Sequence, residues 1–260
     1  MTSVTRFWPL LCGVHRYEKT LSTRDSGAGV IIEAPILAYL VETANGRILY
    51  DAGCDYRKLA EPRLRERWYG NPAFAFGPPE VAPQDRLPAR LARLGLDVRD
   101  IDCVVCGHLH FDHAGGLHEF AHAAVHVHRA ELAAMREPAD EAYFGDDFAH
   151  GPCWCEHAGE GTLSAGVQLI ETPGHTAGHM SLLVELPHGR PVLLCGDAAD
   201  LQENLEAEIA PGLCWRDRTD LALASIRKLK RMARETGAEL WPNHDMTFFR
   251  ARDTFPAPWR

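Results

Sequence analysis

Residues His108-Leu109-His110-Phe111-Asp112-His113 place four groups able to bind a metal within six positions, directly after the apolar run Ile101-Asp102-Cys103-Val104-Val105-Cys106. The pattern predicts a strand that feeds a metal-binding loop. His108 and His110 are two apart, so in extended backbone they point to the same side and can chelate one ion. Asp112 and His113 follow as the chain turns through Ala114-Gly115-Gly116, and they can address a second ion. A catalytic metal takes about three protein groups, so donors this dense predict two ions sharing one site.

Two sites of this kind need more donors, and the chain supplies them at the ends of further apolar segments. Pro173-Gly174-His175-Thr176 follows Val167-Gln168-Leu169-Ile170, Leu193-Leu194-Cys195-Gly196 runs into Asp197, and Trp241-Pro242-Asn243 leads to His244. Loops at strand ends are where a rigid scaffold carries function. We assign His108, His110 and His175 to one ion and Asp112, His113 and His244 to the other. Asp197 is assigned as the bridge, because a carboxylate has two acceptor oxygens. Imidazole and carboxylate without thiolate suit zinc and admit iron, manganese or cobalt. Two such cations flanking a water bring its pKa towards neutrality, and the hydroxide can attack a carbonyl. This opens a lactone or ester with no serine nucleophile, so Ser181 receives no role. His179 reads as a turn or outer-sphere residue.

The motif H-x-H-x-D-H with the later His, Asp and His resembles the metallo-β-lactamase superfamily. Within it, residues 108–116 and Thr172-Pro173-Gly174-His175-Thr176-Ala177-Gly178-His179 are most similar to N-acyl homoserine lactone lactonases. The likeness extends to Leu37–Thr43 and to Leu221–Lys230. It implies an αββα sandwich of two mixed sheets flanked by helices, an α/β (α+β) fold, and a quorum-quenching lactonase activity. It also implies that Asp51, at a strand end, sits beside the metals; a plain loop-start Asp is the alternative. In the resembled lactonases a Tyr that helps hold the substrate lies three residues after the bridging Asp. Here that position is Asp200. Asp112 and Asp200 are therefore the catalytic candidates, and Asp200 and Phe111 the candidate substrate contacts. Rival readings are a thioester hydrolase of the glyoxalase II type, flavodiiron-like redox chemistry, and a non-enzymatic binding protein. The short stretch after His244 disfavours the first, His110 in place of an acid the second, and the full set of seven donors the third.

The elements that must position these groups can be read in outline. Ile36–Val41 and Arg47–Tyr50 flank Ala44-Asn45-Gly46, which predicts a hairpin turning on Asn-Gly. Residues 56–84 lack a clean period and read as irregular chain whose aromatics pin a loop or line a pocket. Leu87–Leu94 has helical spacing, tolerates Pro88 in its first turn, and stops at Gly95. Ala124–His128 predicts a strand and 129–136 a helix. His126 and His128 read as surface-strand residues, and His118, His122, His150, His157 and His188 receive the same reading. Cys153-Trp154-Cys155 reads as a surface loop. Asp220–Thr236 predicts a helix with a stripe of Leu221, Leu223, Ala224, Ile226, Leu229 and Met232 and a basic outer face.

Composition narrows the class. The chain has 260 residues, 46% hydrophobic and 24% charged, which suits a globular protein with a filled core. Donors spread from His108 to His244 favour one domain over 1–260. A net charge of −9 argues against non-specific nucleic-acid binding. No apolar run reaches the roughly 20 residues of a membrane span, and the N-terminus lacks a signal-peptide pattern, so a cytoplasmic protein is expected. Its eight cysteines then read as thiols, with Cys103 and Cys106 lying in a strand as buried thiols on opposite faces. The expected partner is a small lactone or ester, with a homodimer left open.

Overall fold

The computed structural model describes residues 2–136 and 141–259. Its first sheet begins with a long antiparallel hairpin, β1 (Val4–Glu18) and β2 (Ile31–Thr43), followed by β3 (Gly46–Tyr50). Three parallel strands complete it: β4 (Cys103–Val105), β5 (Ala124–His128) and β6 (Cys153–His157). The order is sequential, β1 to β6. The second sheet contains β7 (Gly161–Ser164), β8 (Val167–Glu171), β9 (Met180–Val184), β10 (Val192–Leu194) and β11 (Glu239–Trp241). Its order is β11-β10-β9-β8-β7, antiparallel except for the β10–β11 pair. Two mixed sheets therefore face each other, as expected.

The helices are α1 (Tyr56–Ala60), α2 (Pro62–Tyr69), α3 (Leu87–Arg93), α4 (Phe111–Ala114), α5 (Arg129–Ala134), α6 (Gln202–Ala207), α7 (Thr219–Thr236) and α8 (Met246–Arg250). Three apolar layers follow from the alternation of side chains across the strands. Leu91, Phe120 and Leu132 pack on the outer face of the first sheet with Val104 and Val125. Tyr39, Val41 and Val105 meet Leu169, Leu182 and Trp241 between the sheets. Ile226 and Leu229 of α7 cover Ile170, Leu183 and Leu193 on the outside of the second sheet. Strand β9 is buried along its whole length, which explains its apolar sequence, Met180-Ser181-Leu182-Leu183-Val184, broken only by Ser181, whose hydroxyl donates to Cys195 O.

Five expectations are corrected. The hairpin between β2 and β3 turns on Ala44-Asn45, not Asn45-Gly46: Thr43 pairs with Gly46, and the Thr43 hydroxyl accepts from Asn45 N (3.1 Å) and donates to Gly46 O (2.8 Å). The Thr hydroxyl thus closes the turn, and only Gly46 takes a positive φ, 137°. Residues 56–84 hold α1 and α2, short helices whose local signals are Asp55 capping Arg57 N and Pro62 in the first turn of α2. Cys153–Cys155 lie in β6, an edge strand added in parallel to β5. In α7, Ala224 is exposed, while Ala222 and Ser225 are buried. The Ser225 hydroxyl donates to Pro173 O (2.6 Å), so a polar residue sits in the buried stripe to hold the loop carrying His175. The helix expected over 129–136 ends at Ala134.

Candidate metal centre and cavity

Five strands end at one place. Past β3 lies Asp51, past β4 the loop 107–113, past β8 His175, past β10 Asp197 and past β11 His244. His108 and His110 emerge from a loop beyond β4 rather than from the strand itself, with their rings 4.5 Å apart. The structure brings all seven predicted donors together. Ligand atoms of His108, His110 and His175 lie within 4.8 Å of one another, and so do those of Asp112, His113 and His244. Asp197 stands between the two sets. Its Oδ2 is 3.5 Å from His175 Nε2 and 3.8 Å from His108 Nε2, and its Oδ1 is 3.3 Å from His113 Nε2 and 3.2 Å from His244 Nε2. His244 Nε2 is also 3.2 Å from Oδ2, so Oδ2 meets His108, His175 and His244 while Oδ1 meets His113 and His244, and the carboxylate stands between the two sets.

The imidazoles are aimed by what their other nitrogens touch. His113 Nδ1 is 2.8 Å from Asp51 Oδ2, His175 Nδ1 donates to Leu213 O (3.1 Å), and His244 Nδ1 donates to Pro35 O (2.9 Å). Each bond leaves an Nε2 lone pair facing inward. Asp51 is fully buried, takes φ 62°, and also accepts from Gly107 N (2.8 Å). Both readings of Asp51 hold: it orders the loop start and orients His113. His179 is placed behind the cluster. Its Nε2 accepts from Asp197 N (2.9 Å), so Nδ1 carries the proton and donates to Thr172 (2.8 Å); Thr172 passes a bond to Ser181 (2.8 Å), and Ser181 donates to Cys195 O (2.8 Å). Burial pushes His179 down to about 3, which suits an acceptor. Ser181 is spent in this chain. Gly196 is required here, because a Cβ would lie 2.5 Å from His179 Nε2.

Both ring nitrogens of His108 and Nε2 of His113 are buried without a hydrogen-bond partner. Unpaired buried polar atoms are rare and call for an explanation, and here Nε2 of both His108 and His113 faces Asp197 among the other donors. A cation fits this donor set. The electrostatics agree. Burial and the neighbouring His113 and His110 hold His108 well below the usual imidazole range, and burial holds His175 at about 4. Burial opposes charge on His113 and His244 as well, but Asp197 with its acidic neighbours outweighs it, raising His113 well above its usual value and His244 to about 10. Asp197 is lowered despite its burial, chiefly by His113, His244 and His108. Positive charge at the centre of the cluster is therefore favoured.

A cavity of about 580 Å³ opens over this floor, and Asp112, Asp197, Asp200 and His244 line it. One wall is aromatic: Phe111 packs on Phe74 (5.3 Å), Tyr69 (5.7 Å) and Phe144 (5.0 Å). Phe111 and Phe74 thus both pin their loops and line the cavity. Asp200 is 4% exposed, and burial together with Asp197 pushes it up to about 8.

Sequence reasoning missed several residues around the site. His15 and Tyr17, alternating on β1, line the cavity; their spacing is a usable signal, but nothing local says which face of β1 meets the site. Glu131 is fully buried at the start of α5. Its Oε1 accepts from Leu109 N (3.0 Å) and the Tyr143 hydroxyl (2.7 Å), and its Oε2 accepts from Gly178 N (3.0 Å). A Cβ on Gly178 would lie 2.3 Å from Glu131 N, so the close approach needs glycine. Lys58 is buried between Asp146 and Asp147, 2.6 Å from Asp147 Oδ1, with its ammonium over Trp68 and Phe144. His126 and His157 bond to each other at 2.8 Å, and His128 pairs with Glu171 at 2.9 Å; neither joins the cluster.

The sequence model of the Metallo-beta-lactamase superfamily matches residues 32–244. This chain belongs to that superfamily. Among curated relatives, an N-acyl homoserine lactonase of Bacillus sp is 34% identical over 230 residues, covering 88% of each chain. The N-acyl homoserine lactonase AiiA of Bacillus thuringiensis subsp. kurstaki is 32% identical, again over 88% of each. Among solved structures, a mutant of B. thuringiensis AiiA with N-decanoyl-L-homoserine bound at its active site superposes with a TM-score of 0.89, at 28% identity, over 99% of this chain and 100% of that one. An N-acyl homoserine lactone hydrolase with the product N-hexanoyl-L-homoserine at its catalytic metal centre gives 0.89 at 29% identity, over 99% and 100%.

Proposed function

We propose that this superfamily member is a two-metal hydrolase that opens the ring of N-acyl homoserine lactones. The observation that carries the reading is Asp197 standing between two sets of three donors, at the floor of a cavity with an aromatic wall. His108, His110 and His175 would hold one ion, Asp112, His113 and His244 the other, with Asp197 touching both. All-imidazole and carboxylate donors suit zinc at both positions, and also Fe, Mn or Co. Bound there, the ions supply an activated water and polarise the lactone carbonyl.

The chain's own residues do the rest. Phe111 and Phe74 offer apolar surface to an acyl chain, and burial of that chain gains roughly 0.8 kcal/mol per CH2. The Asp112 side chain is 14% exposed, against 6% for Asp197 and 5% for His244, so its carboxylate faces both the ion and the substrate. That position suits it to hold a proton between attack and ring opening. The relatives' named substrates support the lactone class. A single domain over 1–260 is supported by a core that both sheets share. Eight free thiols support a reducing, cytoplasmic setting.

The test is acid release from a panel of acyl homoserine lactones, simple γ- and δ-lactones, thioesters and aryl esters, with metal content measured on the same protein. Ring opening of the acyl homoserine lactones, faster as the acyl chain grows, is expected. Thioester cleavage without ring opening would overturn the proposal in favour of a thioesterase.

A further inference from the structure

Asp200 is 4% exposed, and among the described residues no Lys or Arg side chain pairs with it. Its Oδ1 is buried with no hydrogen-bond partner. A ligand atom of Asp200 lies within 4.8 Å of those of Asp197 and His244. Two backbone bonds fix it there: Asn243 N donates to Ala199 O (3.1 Å) and His244 N to Asp200 O (2.8 Å), so the loops after β10 and β11 are tied to each other. The carboxylate is also oriented from behind. The Ser22 hydroxyl lies near enough to lower its pKa against the burial, and the Tyr17 hydroxyl sits 2.9 Å from Ser22 Oγ. If Tyr17 donates to Ser22 and Ser22 to Asp200, one carboxylate oxygen is held and the other is left facing the cluster. A buried, unpaired carboxylate oxygen is costly unless a cation or donor meets it.

We propose that Asp200 is an eighth metal-binding group, acting on the ion of Asp112, His113 and His244. This rests on the two-metal reading above. It makes the two positions chemically unequal. One has three imidazoles and one oxygen of Asp197, a four-donor set of the kind zinc takes. The other has two imidazoles and carboxylates from Asp112, Asp197 and Asp200. Oxygen-rich sets with more than four donors suit harder ions, Mn²⁺ or Fe²⁺, relative to zinc. Asp200 thereby biases the second position towards a different metal from the first.

The experiment is chelator competition with Zn²⁺ and Mn²⁺ on wild type and Asp200→Asn, with the visible spectrum of the Co²⁺-loaded proteins beside it. Wild type should bind two ions, and Mn²⁺ should displace one zinc more readily than the other. Asp200→Asn should weaken one position by about 10–100-fold, leave the other unchanged, abolish the Mn²⁺ preference and alter the Co²⁺ spectrum. Should Asp200→Asn fold poorly, Ser22→Ala keeps the carboxylate but frees it, and a weaker loss at the same position is expected. Two ions bound to Asp200→Asn with wild-type affinities and an unchanged Co²⁺ spectrum would overturn the assignment, as would an effect on KM alone, which marks a substrate contact. Wild type that holds no metal would remove the two-metal centre itself.

Discussion

Glu131→Ala would remove a carboxylate that joins the loop of His108 and His110 to the loop of His175. Leu109 N lies between the first pair, and Gly178 N lies three residues past His175; both bond to Glu131, at 3.0 Å each. Leu109 is fully buried, and Gly178 is buried as well. Truncation leaves two enclosed N–H groups without an acceptor, at about 1–3 kcal/mol each. The sum is about 2–6 kcal/mol, or on the order of 5–15 °C in the melting midpoint for a chain of this size. Glu131→Gln discriminates the cause. The amide oxygen can still serve Leu109 and Tyr143, but its NH2 group would face Gly178 N, so one donor is stranded and the loss falls to about 1–3 kcal/mol. Urea unfolding of both metal-free variants reads these differences. Chelator competition on the loaded proteins should show the His108–His110–His175 position weakened about 10–100-fold. An alanine variant within about 0.5 kcal/mol of wild type, with unaltered metal affinity, would refute the claim that Glu131 couples the two loops.

Asp51→Asn should weaken the position built on His113 by about 10–100-fold, because the Asp51 contact fixes His113 Nδ1 and so aims Nε2; equal metal affinities in variant and wild type would sink this. Lys58→Met should cost about 3–5 kcal/mol, since it strands the buried Asp147 without its cation. That cost should grow with pH. Burial already pushes Asp147 up to about 7 against the opposing Lys58, and Asp55 and Asp146 push the same way. As pH rises from about 4 through 7, the unfolded chain releases a proton that the folded Asp147 retains, so stability falls across that window in both proteins; without Lys58 the retained proton persists to higher pH, so the variant keeps losing stability above about 7. Unfolding of Lys58→Met at pH 5 and pH 8 checks the sign, and a stability independent of pH would contradict it.

The donors were legible because metal chemistry restricts residue type, and because each donor follows an apolar segment ending in a loop. His108 to His113 are close in sequence, and His175, Asp197 and His244 each carry their own strand-end signal. Architecture followed from the same segments and from the resemblance. Other features depended on partners the local pattern does not name. The aromatics of 56–84 gave no period because α1 and α2 are short and packed on one cluster with Phe111 and Phe144. Cys153–Cys155 looked like a loop because a strand added in parallel at a sheet edge has only one neighbour to satisfy.

By itself, then, the sequence determined which groups can bind metal, that there are enough for two ions, and that the chain between them forms α/β layers. Side-chain type and spacing along the chain are enough for that. Tertiary structure alone decided that His244 Nδ1 is held by Pro35 O, that Glu131 joins two ligand loops, and that Asp200 and Tyr17 come together beside His244. Those contacts join residues up to 209 positions apart, as His244 and Pro35 do, and such distances are closed by packing of whole sheets, which no local window of sequence encodes.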